Sequence, residues 1–103
     1  MKIIIDQIAE IKIRQTARYI HQKFGTTARS NFITEIKRIV KLLNVNPCLG
    51  DVERYLEGAP VLYRSIVIQR RDKIIYWIND EIIEIVDFWD CLREPENQAK
   101  RLM

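Results

Sequence analysis

The stretch LYRSIVIQRRDKIIYWI, residues 62–78, carries the clearest topological signal in the chain. It reads as two apolar strands, 62–69 and 73–79, joined by the short charged connection RRD. β-Branched and aromatic residues dominate both halves, which suits a pleated, half-buried surface. A third candidate strand, 82–88, follows after a connection of only two or three residues. Three strands linked so tightly predict an antiparallel meander. Within it, Ile74, Ile75, Tyr76, Trp77 and Ile78 run together without alternation. A strand covered on both faces reads this way, so the second sheet face is expected to carry a partial cover or a half-apolar groove. The same hairpin carries four cations, Arg64, Arg70, Arg71 and Lys73, which points to a surface for a polyanion.

Working outward, residues 2–5 (KIII) predict a short strand, ended by Asp6, which can cap the next element. Ala9, Ile13, Ala17, Ile20 and Phe24 then form a helical stripe over 7–24, and Gly25 stands where a helix end tolerates positive φ. Thr26 and Thr27 offer an N-cap for a second helix with the stripe Ala28, Phe32, Ile36, Ile39 and Leu43. Pro47 blocks its continuation. Two helices so closely linked predict an antiparallel hairpin that needs a sheet to lie on. Residues 47–61 read as loop, and Pro95 opens a weak terminal helix over 95–103. The order β-α-α-β-β-β plus a short C-terminal helix gives an α+β fold: an antiparallel sheet with the helical hairpin on one face, in a single domain spanning 1–103.

The composition, 48% apolar and 30% charged over 103 residues, is that of a globular domain able to bury one core. Cys48 and Cys91 are expected to be free thiols, and His21 an exposed mid-helix residue. There is no Cys/His spacing for a metal, no signal peptide and no apolar run near the ~20 residues of a membrane helix, so the expectation is a cytoplasmic protein without metal or cofactor. The net charge of +3 is asymmetric: residues 1–79 hold 14 Lys/Arg against 7 Asp/Glu, and residues 80–103 hold 3 against 7. That split suits solvated faces that partly neutralise each other, or a surface that meets an acidic partner. Arg64, inside an apolar strand, must reach water, pair with Glu84 or Asp87, or present its guanidinium to phosphate on the open face, with Arg93 brought near it. No phosphate loop or Ser-His-Asp set appears, so any chemistry on RNA would rest on cations that stabilise developing charge. Tyr63, Tyr76 and Trp77 are candidate stacking platforms beside them.

Taken in order, ARYIHQKFG (17–25), ARSNFITEI (28–36), NPCLG (46–50), LEG-x-x-VLYRSIVI (56–68), KIIYWI (73–78) and IIEIVDFWDCLREPE (82–96) make the chain resemble the RelE/ParE superfamily of bacterial type II toxins. The resemblance implies a sheet with two helices on one face and a cationic groove on the other, and a cognate antitoxin that wraps the toxin. It implies one of two targets. RelE-like members cut ribosome-bound mRNA with basic residues, which fall here on Arg64, Lys73 and Arg93; ParE-like members poison DNA gyrase. The tyrosine or histidine that RelE-type nucleases carry near the C-terminus is missing from PENQAKRLM, and Glu53 lies within a residue of where some relatives place a catalytic glutamate. The alternative is a non-toxic RNA- or protein-binding module that keeps the fold. Neither a membrane nor a small-molecule substrate is expected.

Overall fold

The computed structural model describes residues 1–103. The chain runs β1 (Lys2–Ile5), α1 (Gln7–Phe24), α2 (Thr26–Val45), β2 (Asp51–Val52), a 3-10 turn (Arg54–Leu56), β3 (Arg64–Ile68), β4 (Asp72–Asn79), β5 (Ile82–Asp90), α3 (Pro95–Ala99) and a closing 3-10 turn (Lys100–Leu102). The five strands form one sheet in the order β1-β5-β4-β3-β2. The meander β3-β4-β5 is antiparallel, as its short turns demand. Strand β1, by contrast, lies parallel to β5, from Lys2 against Ile82 to Ile5 against Ile85, so the sheet is mixed. No hairpin ties β1 to a neighbour, and the intervening helices leave either direction open. The loop predicted over 47–61 contains β2, a two-residue edge strand on β3.

Local chemistry sets the helix ends. The Asp6 carboxylate accepts a hydrogen bond from the Ile8 N–H at 2.8 Å, capping α1. Gly25, at φ 94°, ends α1 by donating to the His21 carbonyl and is itself the cap residue of α2. The threonine cap expected at 26 and 27 is therefore not formed: a single left-handed glycine reverses the chain, and Thr26 is already helical. Phe24, at that reversal, is exposed rather than part of the stripe's core.

Two apolar clusters sandwich the sheet. The larger joins Ala9 and Ala17 of α1 and Phe32, Ile36, Ile39 and Leu43 of α2 to Ile68, Ile74, Tyr76, Ile83, Ile85 and Phe88. Phe32 and Phe88 meet edge to face, centroids 6.0 Å apart. The smaller cluster occupies the opposite face: Leu56 of the 3-10 turn, Ala99 of α3, and Ile75, Val86 and Trp89 from the sheet. This is the partial cover that the unbroken apolar run of β4 requires. A bulge lets β5 serve both clusters: pairing jumps from Ile75–Asp87 to Tyr76–Ile85, leaving Val86 as the extra residue.

The NPCLG segment has a packing role. The Tyr76 hydroxyl donates to the Pro47 carbonyl at 2.7 Å and accepts from the Gly50 N–H at 2.9 Å, both beside the core. A Cβ at Gly50 would lie 2.7 Å from the Ser65 carbonyl oxygen and 2.9 Å from Tyr76 Cε1. Backbone on one side and an immobilised ring on the other leave no room to yield. Gly50→Ala is expected to destabilise by about 1–3 kcal/mol, read as a lower urea midpoint at unchanged slope.

Candidate functional site

The three cations singled out from sequence fall in three environments. In β3, Arg64 pairs with Tyr76 and Val67 with Lys73. Side chains alternate along a strand, so Arg64 and Lys73 leave the sheet on opposite faces. Arg64 donates from Nη1 to the Gly50 carbonyl at 2.9 Å and lines a small apolar groove with Leu62, Trp77 and Ile78. Neither Glu84 nor Asp87 pairs with it: Glu84 accepts from Trp77 Nε1, and Asp87 is taken by other cations. Arg93 lies past the end of β5, its side chain 78% exposed and 3.7 Å from the Asp90 carboxylate. Asp90 is paired with Asp72, four residues along β4 from the partner of Arg64. At about 3.3 Å per residue, that separates the two arginines by roughly 13 Å along the sheet.

Lys73 is held on all sides. Its ammonium forms an ion pair with Glu53, and the Tyr55 and Trp89 rings lie 5.7 and 5.2 Å away. Glu53 is buried; it also accepts from Ser65 Oγ at 2.9 Å and the Tyr55 N–H at 3.0 Å. Burial works to raise the Glu53 pKa, but Lys73, the Tyr55 N–H and Ser65 together outweigh it, and the carboxyl titrates below its ordinary range. Of the expected stacking platforms, Tyr76 is wholly buried in the core, while Tyr63 and Trp77 are half-buried.

A concavity lies elsewhere, between α1 and the β3–β4 turn. It measures about 520 Å³ and is lined mainly by polar groups, among them Lys12, Tyr19, Arg71, Asp72, Asp90 and Arg93. The turn that shapes it holds Gln69 and Arg70 at φ 50° and 64°, and the Arg71 N–H donates to Ile68 O. Positive φ at both central positions matches the twist of the strands it joins. Arg71 projects over the Tyr19 ring at 6.0 Å. Asp72 and Asp90 face each other across the first β4–β5 pair. The Asp72 carboxyl is pushed up to about 6, by burial first and by Asp90 second, with Arg71 pulling the other way. Sequence reasoning missed this site because it scanned for cations and fixed motifs. The signal was present as Asp72 and Asp90, each at a strand end, but only the register brings them together.

A buried network closes the adjoining edge. Beyond Ile85 strand β1 no longer covers β5. There the fully buried Asp87 accepts from Lys12 of α1 at 2.7 Å and from Trp89 Nε1 at 3.0 Å, and lies 3.5 Å from Arg101. Arg101 also donates to the Val86 carbonyl, so the chain's C-terminal turn is fastened to the sheet edge.

The fold is thus a small α+β domain with a helical hairpin on one sheet face. The model of the ParE toxin of the type II toxin–antitoxin system parDE matches residues 3–95, and the chain belongs to that family. Among solved structures, a chain of the chromosomal ParDE toxin–antitoxin system from P. aeruginosa is similar in fold, with a TM-score of 0.71. Its sequence identity is 14%, over 87% of this chain and 95% of that one. No curated protein matches the sequence. No helix is long and apolar enough to cross a membrane.

Two expectations follow for the charged groups. Lys73→Met keeps the aliphatic stem but strands Glu53 as a buried carboxylate; the loss should be about 3 kcal/mol or more, with most of it recovered in the double variant Lys73→Met/Glu53→Gln, as measured by urea unfolding. For Asp72, the folded form keeps a proton that the unfolded chain has already lost between its ordinary 3.8 and about 6. Stability therefore falls across that window as pH rises, and the cost persists above it. Asp72→Asn should be near neutral at low pH, below the ordinary value, and stabilising by about 2 kcal/mol above pH 7.

Proposed function

We propose that the chain is a growth-inhibiting toxin neutralised by a cognate antitoxin, and that its target is a protein, DNA gyrase, rather than ribosome-bound mRNA. The observation that carries this reading is the state of Lys73. A cation that stabilises a phosphorane-like charge has to reach the reacting phosphate, and this one is enclosed by Glu53, Tyr55 and Trp89, with its side chain 16% exposed. Arg64 projects from the other face, Arg93 stands past the end of β5, and the C-terminal PENQAKRLM supplies no tyrosine or histidine. Lys73 is suited to holding the fold, and Arg64 and Arg93 to meeting an acidic partner, rather than all three to converging on one scissile bond.

Two features suit the antitoxin. Strand β1 has one unpaired edge, and Ile4 and Ile5 on it, with Ile8 and Ile11 on α1, are exposed. An extended or helical segment could cover them by strand addition or by apolar packing. The helical hairpin, residues 7–45, holds eight Lys/Arg against two Glu, which favours an acidic partner.

Induction without antitoxin should arrest growth, and the purified protein should block supercoiling by gyrase while leaving mRNA intact in a reconstituted translation system. Codon-spaced cleavage that depends on translating ribosomes, with supercoiling unaffected, would establish the nuclease instead. Undisturbed growth on strong induction would identify a non-toxic binding module.

A further inference from the structure

We propose that the cleft between α1 and the β3–β4 turn binds a nucleotide whose base offers two adjacent N–H donors, as guanine does, with the base on Asp72 and the phosphate on Arg71 and Arg93. Three features of the cleft point to such a ligand, whatever the chain's cellular target.

The first is an acceptor without a donor. Asp72 is 9% exposed, lines the cleft, and receives no hydrogen bond from any protein group, whereas Asp90 opposite it accepts from the Leu92 N–H. A carboxylate held this deep gains most from a ligand that brings its own donors. The second is the rim. Lys12 is engaged by Asp87, but Arg71 makes no ion pair and Arg93 only a loose one with Asp90. Two guanidinium groups are therefore left to fork onto an anion. The third is the wall, where the ring of Tyr19 is 44% exposed and already carries Arg71 above it. A planar base can stack there beside the guanidinium.

Simpler ligands fit less well. An isolated anion meets Asp72 and Asp90 at the floor, and an isolated cation meets the arginines at the rim. A small zwitterion satisfies both but leaves most of the 520 Å³ empty. Guanine presents N1–H and N2–H₂ side by side, matching the two oxygens of one carboxylate, and its 5′-phosphate supplies the negative charge. Adenine offers no such pair of donors. The groups facing Asp72 are Asp90 on β5, Arg71 in the turn, Lys12 and Tyr19 on α1, and Cys91 and Arg93 after β5. Asp72 is displaced into the mildly acidic range, so binding should strengthen as pH rises through that range and the carboxylate forms.

The test is titration of the full chain with GMP, AMP and ribose 5-phosphate, followed by calorimetry and by amide NMR shifts. GMP should saturate, shifting Tyr19, Asp72 and Arg93, and should bind about tenfold or more tighter than either competitor. Asp72→Asn should weaken GMP by a similar factor without lowering the unfolding midpoint, and Arg93→Ala should weaken it while leaving the preference for GMP over AMP. Between pH 7.5 and pH 5 affinity should fall more steeply for the native chain than for Asp72→Asn, a difference that separates the carboxyl from the ligand's own phosphate, which titrates in the same window. Equal affinity for ribose 5-phosphate, undiminished binding by the Asp72→Asn protein, or no saturable binding at all would each overturn the site.

Discussion

Strand β4 is buried on both faces, and the rest of the molecule is arranged to make that possible. Ile74 and Tyr76 face the helical hairpin while Ile75 faces the 3-10 turn and α3, and all three are wholly excluded from water. Apolar area removed from water stabilises by roughly 25 cal/mol per Å², and β5 beside it is buried in the same way through Ile83, Ile85, Val86, Phe88 and Trp89. Burial on this scale demands a cover for each face, and the covers come from the two ends of the meander. The hairpin precedes it, α3 follows it, and the bulge at Val86 lets β5 contribute to both sides.

Charge is fitted around this apolar centre in a consistent way. Asp87, Glu53 and Asp72 are the three buried acids. Two of them are matched: Asp87 by Lys12 and Arg101, Glu53 by Lys73. These pairs connect elements distant in sequence and leave little net charge in the interior. They also account for part of the asymmetry between the basic first four-fifths of the chain and its acidic end, because Lys12 is neutralised across the fold. Asp72 is the exception, and it opens into the cleft between α1 and the β3–β4 turn.

The elements were legible because their signals are local. Helical stripes, the Gly25 break and the tight turns of the meander are each written within a few residues, and the continuous apolar run at 74–78 announced a second cover. Membership of the ParE toxin family agrees with the resemblance carried by those same segments. What could not be read was anything set by register or direction. Strand β1 has no hairpin to fix its sense, so its parallel pairing with β5 was not visible. The opposite facing of Arg64 and Lys73 depends on counting along paired strands whose limits were uncertain by two residues. The juxtaposition of Asp72 with Asp90 depends on the same count. The bond from Arg64 to the Gly50 carbonyl and the cage around Lys73 are tertiary facts with no counterpart in local pattern.

The parallel pairing of β1 with β5 also bears on how the chain is made. Lys2 is made before both helices and strands β2 to β4, whereas its partner Ile82 and the residues up to Ile85 follow after them. The hairpin of α1 and α2 can form its local contacts at once, but its apolar stripes have no sheet to settle on until β5 has emerged. Closing so long a loop is entropically costly and slow compared with helix formation. The nascent chain is thus unable to complete this core, or the surfaces built on it, until β5 has been translated. A strand of four residues thereby ties completion of the fold to the emergence of a partner made some eighty positions after it.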